Sequence, residues 1–108
     1  LIDLPLKLLE IPKDVNSSLH LAVIRLTNPQ PEHHRHVFEE MRLANIGVQL
    51  HYSPVHLQPY YRRLGFQEGD APEAEAYATN AISLPIYPGL HDEELHRVVG
   101  TLSILLET

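Results

Sequence analysis

Cysteine is absent from this 108-residue chain, which excludes disulfide bonds and thiolate metal ligands. Positive charge is scarce as well: eight Lys and Arg residues against fourteen Asp and Glu residues give a formal net charge of −6. No basic run is present, so neither nucleic acid nor an anionic membrane is expected as a partner. The apolar runs are too short to span a bilayer, and no signal peptide is visible. The composition is typical of a soluble globular domain, and we expect a cytoplasmic location.

Hydrophobic patterning predicts one small α/β (α+β) domain. Residues 19–26 are rich in apolar side chains and predict a strand. A helix is expected from Pro31, because proline is tolerated in the first helical turn. Val37 and Met41 lie on one face of that helix, and Asn45 can end it in a left-handed conformation.

The second half of the chain predicts two further strands and three helices. Alternating apolar residues predict a strand over residues 46–52, and another is expected over residues 81–84. Short helices are predicted at 59–64 and after Asp70, which forms a capping box with Glu73. The last helix is expected to start near Asp92 and to bury Leu95, Val98, Val99, Leu102 and Leu106. These elements predict a sheet of three to four strands, largely antiparallel or mixed, with helices mainly on one face.

The segment 51–61 is the most informative candidate site. It combines two histidines, three tyrosines and a glutamine between stiffening prolines, just after a predicted strand. Convergent polar groups of this kind suggest a ligand-facing surface, on which His56 and Gln58 can point the same way if the loop is extended. The alternative interpretation makes Tyr60 and Tyr61 simple core aromatics.

Other groups of residues give little support for a metal site or a catalytic site. His33 and His36 share one side of a helix, but no third zinc ligand is evident beside them. The serines lack a Gly-x-Ser-x-Gly elbow, and the five glycines form no phosphate loop. The two lysines, Lys7 and Lys13, lie where nothing would activate an amine. The sequence therefore predicts no metal site and no catalytic residue.

A set of segments, taken in order and spacing, resembles the C-terminal small domain of the DegT/DnrJ/EryC1/StrS family of PLP-dependent nucleotide-sugar aminotransferases. The matching segments are residues 18–21, 23–26, 46–49, 51–61, 65–66, 72–75 and 82–90. The resemblance is closest to members that aminate the 4-keto group of UDP-linked 4-keto-6-deoxy-N-acetylhexosamines, some of the "spore coat polysaccharide biosynthesis" type. One departure is His91, where the family commonly has Thr as the N-cap of the last helix. Asp92 is expected to take over that capping role.

The resemblance implies a homodimeric enzyme of which this chain supplies only part of the active site. A large domain elsewhere would hold pyridoxal 5'-phosphate through its lysine, so no cofactor is expected on this chain alone. The substrate- and cofactor-facing residues would be His51, Tyr52, His56, Gln58 and Tyr87, and the residues that shape the loops would be Pro54, Pro59 and Pro85. Their roles would be substrate positioning and exclusion of water rather than proton transfer. Glutamate is the usual amino donor of the family.

Two interpretations of the whole chain follow. In the first, residues 1–18 are a lead-in arm from a missing large domain, with a possible helix tail followed by an extended segment, and residues 19–108 are the small domain. The start at Leu1, without a methionine, hints at a piece of a longer polypeptide. In the second, the chain is a stand-alone α/β binding or dimerisation module without catalysis.

Overall fold

Three strands form one antiparallel sheet in the order β1-β2-β3, in a computed structural model that describes residues 3–107. The strands are β1 (Leu6–Leu8), β2 (Ala22–Leu26) and β3 (Ala81–Leu84). The helices are α1 (Pro31–Leu43), α2 (Pro59–Arg63), α3 (Pro72–Ala78) and α4 (Asp92–Leu106), with a 3-10 turn at Val55–Leu57. A small antiparallel sheet with four α-helices confirms the predicted fold class.

One face of the sheet carries the hydrophobic core. Ile24 on β2 and Ile82 on β3 are directly opposite each other, so their side chains lie on the same face. Helix α1 adds Val37 and Met41 to this cluster, and α4 adds Leu102, all fully buried. The two longest helices therefore cover this face, and the burial of its apolar surface holds the layers together.

The opposite face of the sheet is more polar. Arg25 on β2 donates from Nε to Asn80 Oδ1 at 3.1 Å, and its guanidinium lies 5.4 Å from the centre of the Tyr77 ring. Tyr77 belongs to α3, so that helix packs over Arg25. Ser83 shares this face, because it lies two residues from Ala81, the cross-strand partner of Arg25.

Proline residues and residues with positive φ mark the helix boundaries. Pro31, Pro59 and Pro72 occupy the first turns of α1, α2 and α3, where a missing N–H costs no hydrogen bond. Asn45, with φ of 60°, follows α1, and Gly65, with φ of 102°, follows α2. These positions confirm the predicted boundaries of α1 and α2. Within residues 3–107, no helix has both the length and the apolar character that a membrane span requires.

Residues 46–52 do not form the predicted strand. Only Gln49 pairs with β3, in an isolated bridge where the N–H groups of Gln49 and Ser83 donate to each other's carbonyl oxygens at 3.1 and 2.9 Å. Ile46 and Val48 are buried, as the alternation predicts. Leu50 and Tyr52, on the same predicted face, are 42 % and 74 % exposed, so the alternation holds only as far as the bridge at Gln49 and the prediction of a continuous strand was wrong.

The lead-in arm contains a strand rather than the tail of a helix. Residues 6–8 pair with β2, and Leu4 and Leu6 pack against the core. The first predicted strand is shorter than expected, since β2 begins at Ala22. Leu1, Ile2 and Thr108 lie outside the described residues, so the predictions about the ends of the chain and the domain boundary at residue 18 stay predictions.

Three predicted details of the last two helices were wrong. The N-cap of α3 is Ala71, and Asp70 instead accepts the Gln67 N–H at 2.8 Å, so no Asp70 capping box forms. The N-cap of α4 is His91, not Asp92. Leu95 is 46 % exposed, because the first turn of α4 extends beyond the core that Val98, Leu102 and Leu106 fill.

Candidate functional site

His51 is held at the edge of the sheet by Ser83. The isolated bridge at Gln49 brings the backbone of this segment beside β3. Two residues further on, His51 Nδ1 lies 2.8 Å from the hydroxyl oxygen of Ser83, which is buried. The next residue, Tyr52, meets the His51 ring edge to face at 4.8 Å across a cis peptide bond and is 74 % exposed. The pair presents an imidazole and a phenol at the surface above the polar face of the sheet.

His56 connects the loop to helix α3. Pro54 precedes the 3-10 turn that carries His56, and Pro59 begins α2 immediately afterwards. His56 Nε2 lies 3.4 Å from Glu75 Oε1 without hydrogen-bond geometry, and both side chains are largely buried. The same Glu75 oxygen accepts the Gly69 N–H at 2.7 Å. Glu75 therefore ties together the loop, α3 and the connection before α3.

Gln58 is more exposed than His56. Its side chain is exposed, while its carbonyl oxygen accepts the Arg62 N–H at 3.0 Å and so begins α2. The expectation that His56 and Gln58 share one direction depended on an extended loop, and the 3-10 turn separates them. Tyr60 is exposed, and Tyr61 contacts Tyr60 and Phe66 at ring-centre distances of 5.1 and 6.0 Å. Neither tyrosine belongs to the hydrophobic core, so the alternative interpretation of this segment was wrong.

Tyr87 belongs to a second polar cluster, at the start of α4. Its hydroxyl donates to Glu94 Oε2 at 3.1 Å, and the His91 N–H donates to the same oxygen at 3.0 Å. The hydrogen bond to Glu94 raises the pKa of Tyr87 above its ordinary value of 10.0. The His91 N–H, followed by the Tyr87 hydroxyl, lowers the pKa of Glu94 below 4.5. At neutral pH the cluster is a protonated phenol that donates to an ionised carboxylate.

A groove of about 490 Å³ lies beside Tyr87. It separates the turn after α1 from the β3–α4 connection and the first turns of α4. Arg97 lines it and donates to the carbonyl oxygens of Ala44 at 2.6 Å and Asn45 at 3.3 Å. Residues from all three segments line it: Asn45, Ile46, Gly47, Pro85, Ile86, Tyr87, Leu90, Glu94, Arg97 and Val98. Pro85 and Tyr87 thus form a wall, and the groove is large enough for a small polar ligand.

The predicted site residues fall into three places. His51 and Tyr52 lie together beside β3, His56 lies against α3, and Tyr87 lies against α4, while Gln58 is exposed at the start of α2. Between residues 3 and 107, no hydrogen bond, ion pair or ring contact joins Tyr87 to the 51–58 loop. All three places supply hydrogen-bonding groups rather than a nucleophile, which suits binding and orientation. Direct contact of these residues with a substrate stays a prediction.

Three residues that hold the site were not selected from the sequence. They are Ser83, Glu75 and Glu94, the partners of His51, His56 and Tyr87. Ser83 carried a usable signal, because it is the single polar residue of the apolar strand β3. Glu75 carried none, since it lies far along the chain from His56.

The histidines of α1 do not gather metal ligands. His34 is buried and its Nε2 lies 2.9 Å from the carbonyl oxygen of Ala81, which makes it a link between α1 and β3. In the part of the chain that the structure describes, no group of three or more His, Cys, Asp or Glu residues could hold a metal ion.

The described residues do not by themselves fit pyridoxal phosphate. That cofactor needs an amine in an enclosed, desolvated position, and both Lys7 and Lys13 are exposed. No described residue therefore supplies the amine that the cofactor needs.

Comparison with known proteins identifies the family. The fold and the site define a small α+β domain whose described residues offer hydrogen-bonding groups at its surface. Residues 1–103 match the DegT/DnrJ/EryC1/StrS aminotransferase family, and the chain belongs to that family. It is 38 % identical over 88 residues to the erythromycin biosynthesis sensory transduction protein EryC1 of Saccharopolyspora erythraea, covering 81 % of this chain and 23 % of that protein. It is 41 % identical over 56 residues to the spore coat polysaccharide biosynthesis protein SpsC of Bacillus subtilis, covering 51 % of this chain and 14 % of that protein.

A solved structure gives the same result. The chain superposes on the putative sugar aminotransferase Spr1654 of Streptococcus pneumoniae in its PMP form with a TM-score of 0.89 and 31 % identity. The match covers 95 % of this chain and 26 % of Spr1654. The chain thus spans about a quarter of the length of this relative and of EryC1.

Proposed function

We propose that this chain is the C-terminal small domain of a PLP-dependent aminotransferase. The complete enzyme would transfer an amino group, with glutamate as donor, to the 4-keto carbon of a nucleotide-linked sugar. The observation that carries the proposal is the match of nearly the whole chain to a putative sugar aminotransferase that has been solved with PMP and with PLP. The name of SpsC supports a role in the biosynthesis of a surface polysaccharide or glycan.

The residues of this chain indicate which part of the active site it would supply. Its two lysines are exposed, so the amine that holds the cofactor would come from the large domain. This chain would supply one wall of the active site through His51, Tyr52, His56, Gln58 and Tyr87. These groups would bind and orient the sugar nucleotide and exclude water, and no proton transfer is assigned to them.

The partners and the location of the enzyme belong to the same proposal. The small domain would pack on its own large domain and act in a cytoplasmic homodimer. Exposed apolar side chains at Leu8, Leu9 and Ile11, on or near β1 at the edge of the sheet, support a packing surface on that side.

The test is an assay of the complete enzyme with PLP and glutamate against a panel of UDP- and dTDP-linked 4-keto sugars. We expect amination of at least one 4-keto sugar that depends on glutamate. The change Tyr87→Phe removes one hydrogen-bonding hydroxyl and should lower kcat/KM by roughly tenfold. His36→Ala, on the exposed side of α1, is the matched control and should leave kcat/KM unchanged.

Two outcomes would count against the proposal. The first is an enzyme that aminates none of the keto sugars. The second is a gene product in which no large domain precedes these residues, which would favour the stand-alone module.

A further inference from the structure

Ser83 is a buried polar residue in an otherwise apolar strand. It lies between Ile82 and Leu84 on β3, and its side chain points to the polar face of the sheet. Buried hydroxyl groups are almost always hydrogen-bonded. Within residues 3–107, the single hydrogen-bond partner of the Ser83 hydroxyl is Nδ1 of His51, at 2.8 Å.

This arrangement favours one nitrogen of His51 as the site of the proton in the neutral ring. A serine hydroxyl has one hydrogen to donate, and an imidazole nitrogen can accept it only if that nitrogen is unprotonated. The 2.8 Å contact fits donation in either direction, since a hydroxyl oxygen can also accept from Nδ1–H. In that second case the hydrogen of the buried Ser83 hydroxyl would have no acceptor among the described residues, so donation from Ser83 to Nδ1 is favoured and the ring proton belongs on Nε2.

Nε2 of His51 is free to act on a ligand. It makes no hydrogen bond within the described part of the chain, and it is not one of the buried side-chain atoms that lack a partner. The backbone bridge between Gln49 and Ser83, two residues before His51, fixes the strand edge from which the ring projects. The ring is therefore held on one side and exposed on the other.

We propose that Ser83 is a positioning residue, which holds His51 in the tautomer that presents Nε2–H to an acceptor oxygen of the bound sugar nucleotide. The nature of the ligand rests on the proposed function, whereas the tautomer and its dependence on Ser83 do not. Ser83 itself would not touch the ligand.

The first experiment measures the His51 ring in the 108-residue chain by long-range ¹H–¹⁵N NMR. In the wild type we expect Nδ1 to appear as an unprotonated nitrogen and Nε2 as a protonated one. Ser83→Ala should weaken this preference to that of an imidazole in water, and Ser83→Thr, which keeps the hydroxyl, should restore it. Thr27→Val removes a hydroxyl that donates to the Pro5 carbonyl oxygen at 2.9 Å, away from His51, and should leave the His51 signals unchanged.

The second experiment measures KM and kcat of the complete enzyme for its keto-sugar nucleotide. Loss of one oriented hydrogen bond should raise KM by roughly threefold to tenfold in Ser83→Ala, with kcat little changed and with recovery in Ser83→Thr. A merely structural role would lower thermal stability without this separation of KM from kcat.

The outcomes separate this inference from the proposed function. A wild-type ring protonated on Nδ1 would overturn the inference without any variant, even if Ser83→Ala did not fold. An active enzyme whose KM is unchanged in a folded Ser83→Ala variant would overturn the role in substrate binding and leave the aminotransferase proposal standing. If the wild-type enzyme were inactive but gave the expected ring signals, the aminotransferase proposal would be refuted and the tautomer of His51 would stand.

Discussion

Replacing Leu102 with Ala tests whether the packed core, rather than the apolar pattern of α4, determines stability. Leu102 is fully buried among core residues from β2, β3 and α1. The change removes three carbon atoms, which corresponds to about 2.4 kcal/mol at roughly 0.8 kcal/mol per buried methylene. The cavity that remains should raise the loss to about 3–4 kcal/mol. At roughly 4 °C per kcal/mol for a domain of this size, Tm should fall by about 12 °C or more.

Leu95→Ala is the matched control on the same helix. The apolar spacing places Leu95 and Leu102 in one stripe, but Leu95 is 46 % exposed and borders solvent. Truncating Leu95 should cost about half of the burial free energy given for Leu102, roughly 1.2 kcal/mol, and should leave no enclosed cavity. Urea denaturation followed by far-UV circular dichroism gives both free energies of unfolding, compared at a common m-value. Losses that agree within about 0.5 kcal/mol would refute the reasoning, because they would mean that the stripe and not the core sets the cost.

Four further predictions concern the polar groups and the cofactor. Glu94→Gln removes the carboxylate that raises the pKa of Tyr87, so NMR titration should show Tyr87 ionising at lower pH in the variant. The pKa of Glu94 is lowered in the folded chain, so its contribution to stability is fully present above the unfolded pKa near 4.5 and is lost as pH falls through the lower folded pKa. Acidification to roughly pH 3 should therefore cost the wild type more stability than Glu94→Gln, and parallel profiles would contradict this. His34→Ala leaves the Ala81 carbonyl oxygen without its partner and should cost about 1–3 kcal/mol in urea denaturation, whereas His36→Ala, exposed on the same helix, should cost less than about 0.5 kcal/mol. Adding PLP to the 108-residue chain should give no absorption band of a lysine adduct, since both lysines are exposed, and a stoichiometric band would show the assignment of the cofactor amine to be wrong.

The helices were predictable because their signals are local. Proline in the first turn marks the starts of α1, α2 and α3, and a residue with positive φ follows α1 and α2. Such preferences depend on the steric properties of one or two residues and need no knowledge of the rest of the fold. The same locality explains the failure at Leu95, because spacing along a helix shows which residues share a face but not where the core ends.

The strand prediction at residues 46–52 failed for a different reason. A strand exists only where its backbone groups find a partner, and β3 offers this segment a single bridge at Gln49. The strand at Leu6–Leu8 was missed for the converse reason, since a three-residue segment gains its strand character from pairing with β2. Pairing depends on residues that are distant in the chain, so the apolar pattern of one segment cannot determine it.

For the candidate site, the sequence by itself determined which residue types are available. It also showed that the histidine-tyrosine segment follows an apolar stretch. The resemblance of the sequence to the family indicated the role of that segment. The tertiary structure decided the partners: Ser83 for His51, Glu75 for His56 and Glu94 for Tyr87. The first two partners are distant in sequence and meet their histidines only because β3 and α3 pack beside the loop. A hydrogen bond depends on distances of a few tenths of an ångström, which packing sets and residue order does not. The sequence thus shows which groups can bind a ligand, and the fold determines which neighbours hold each of them in place.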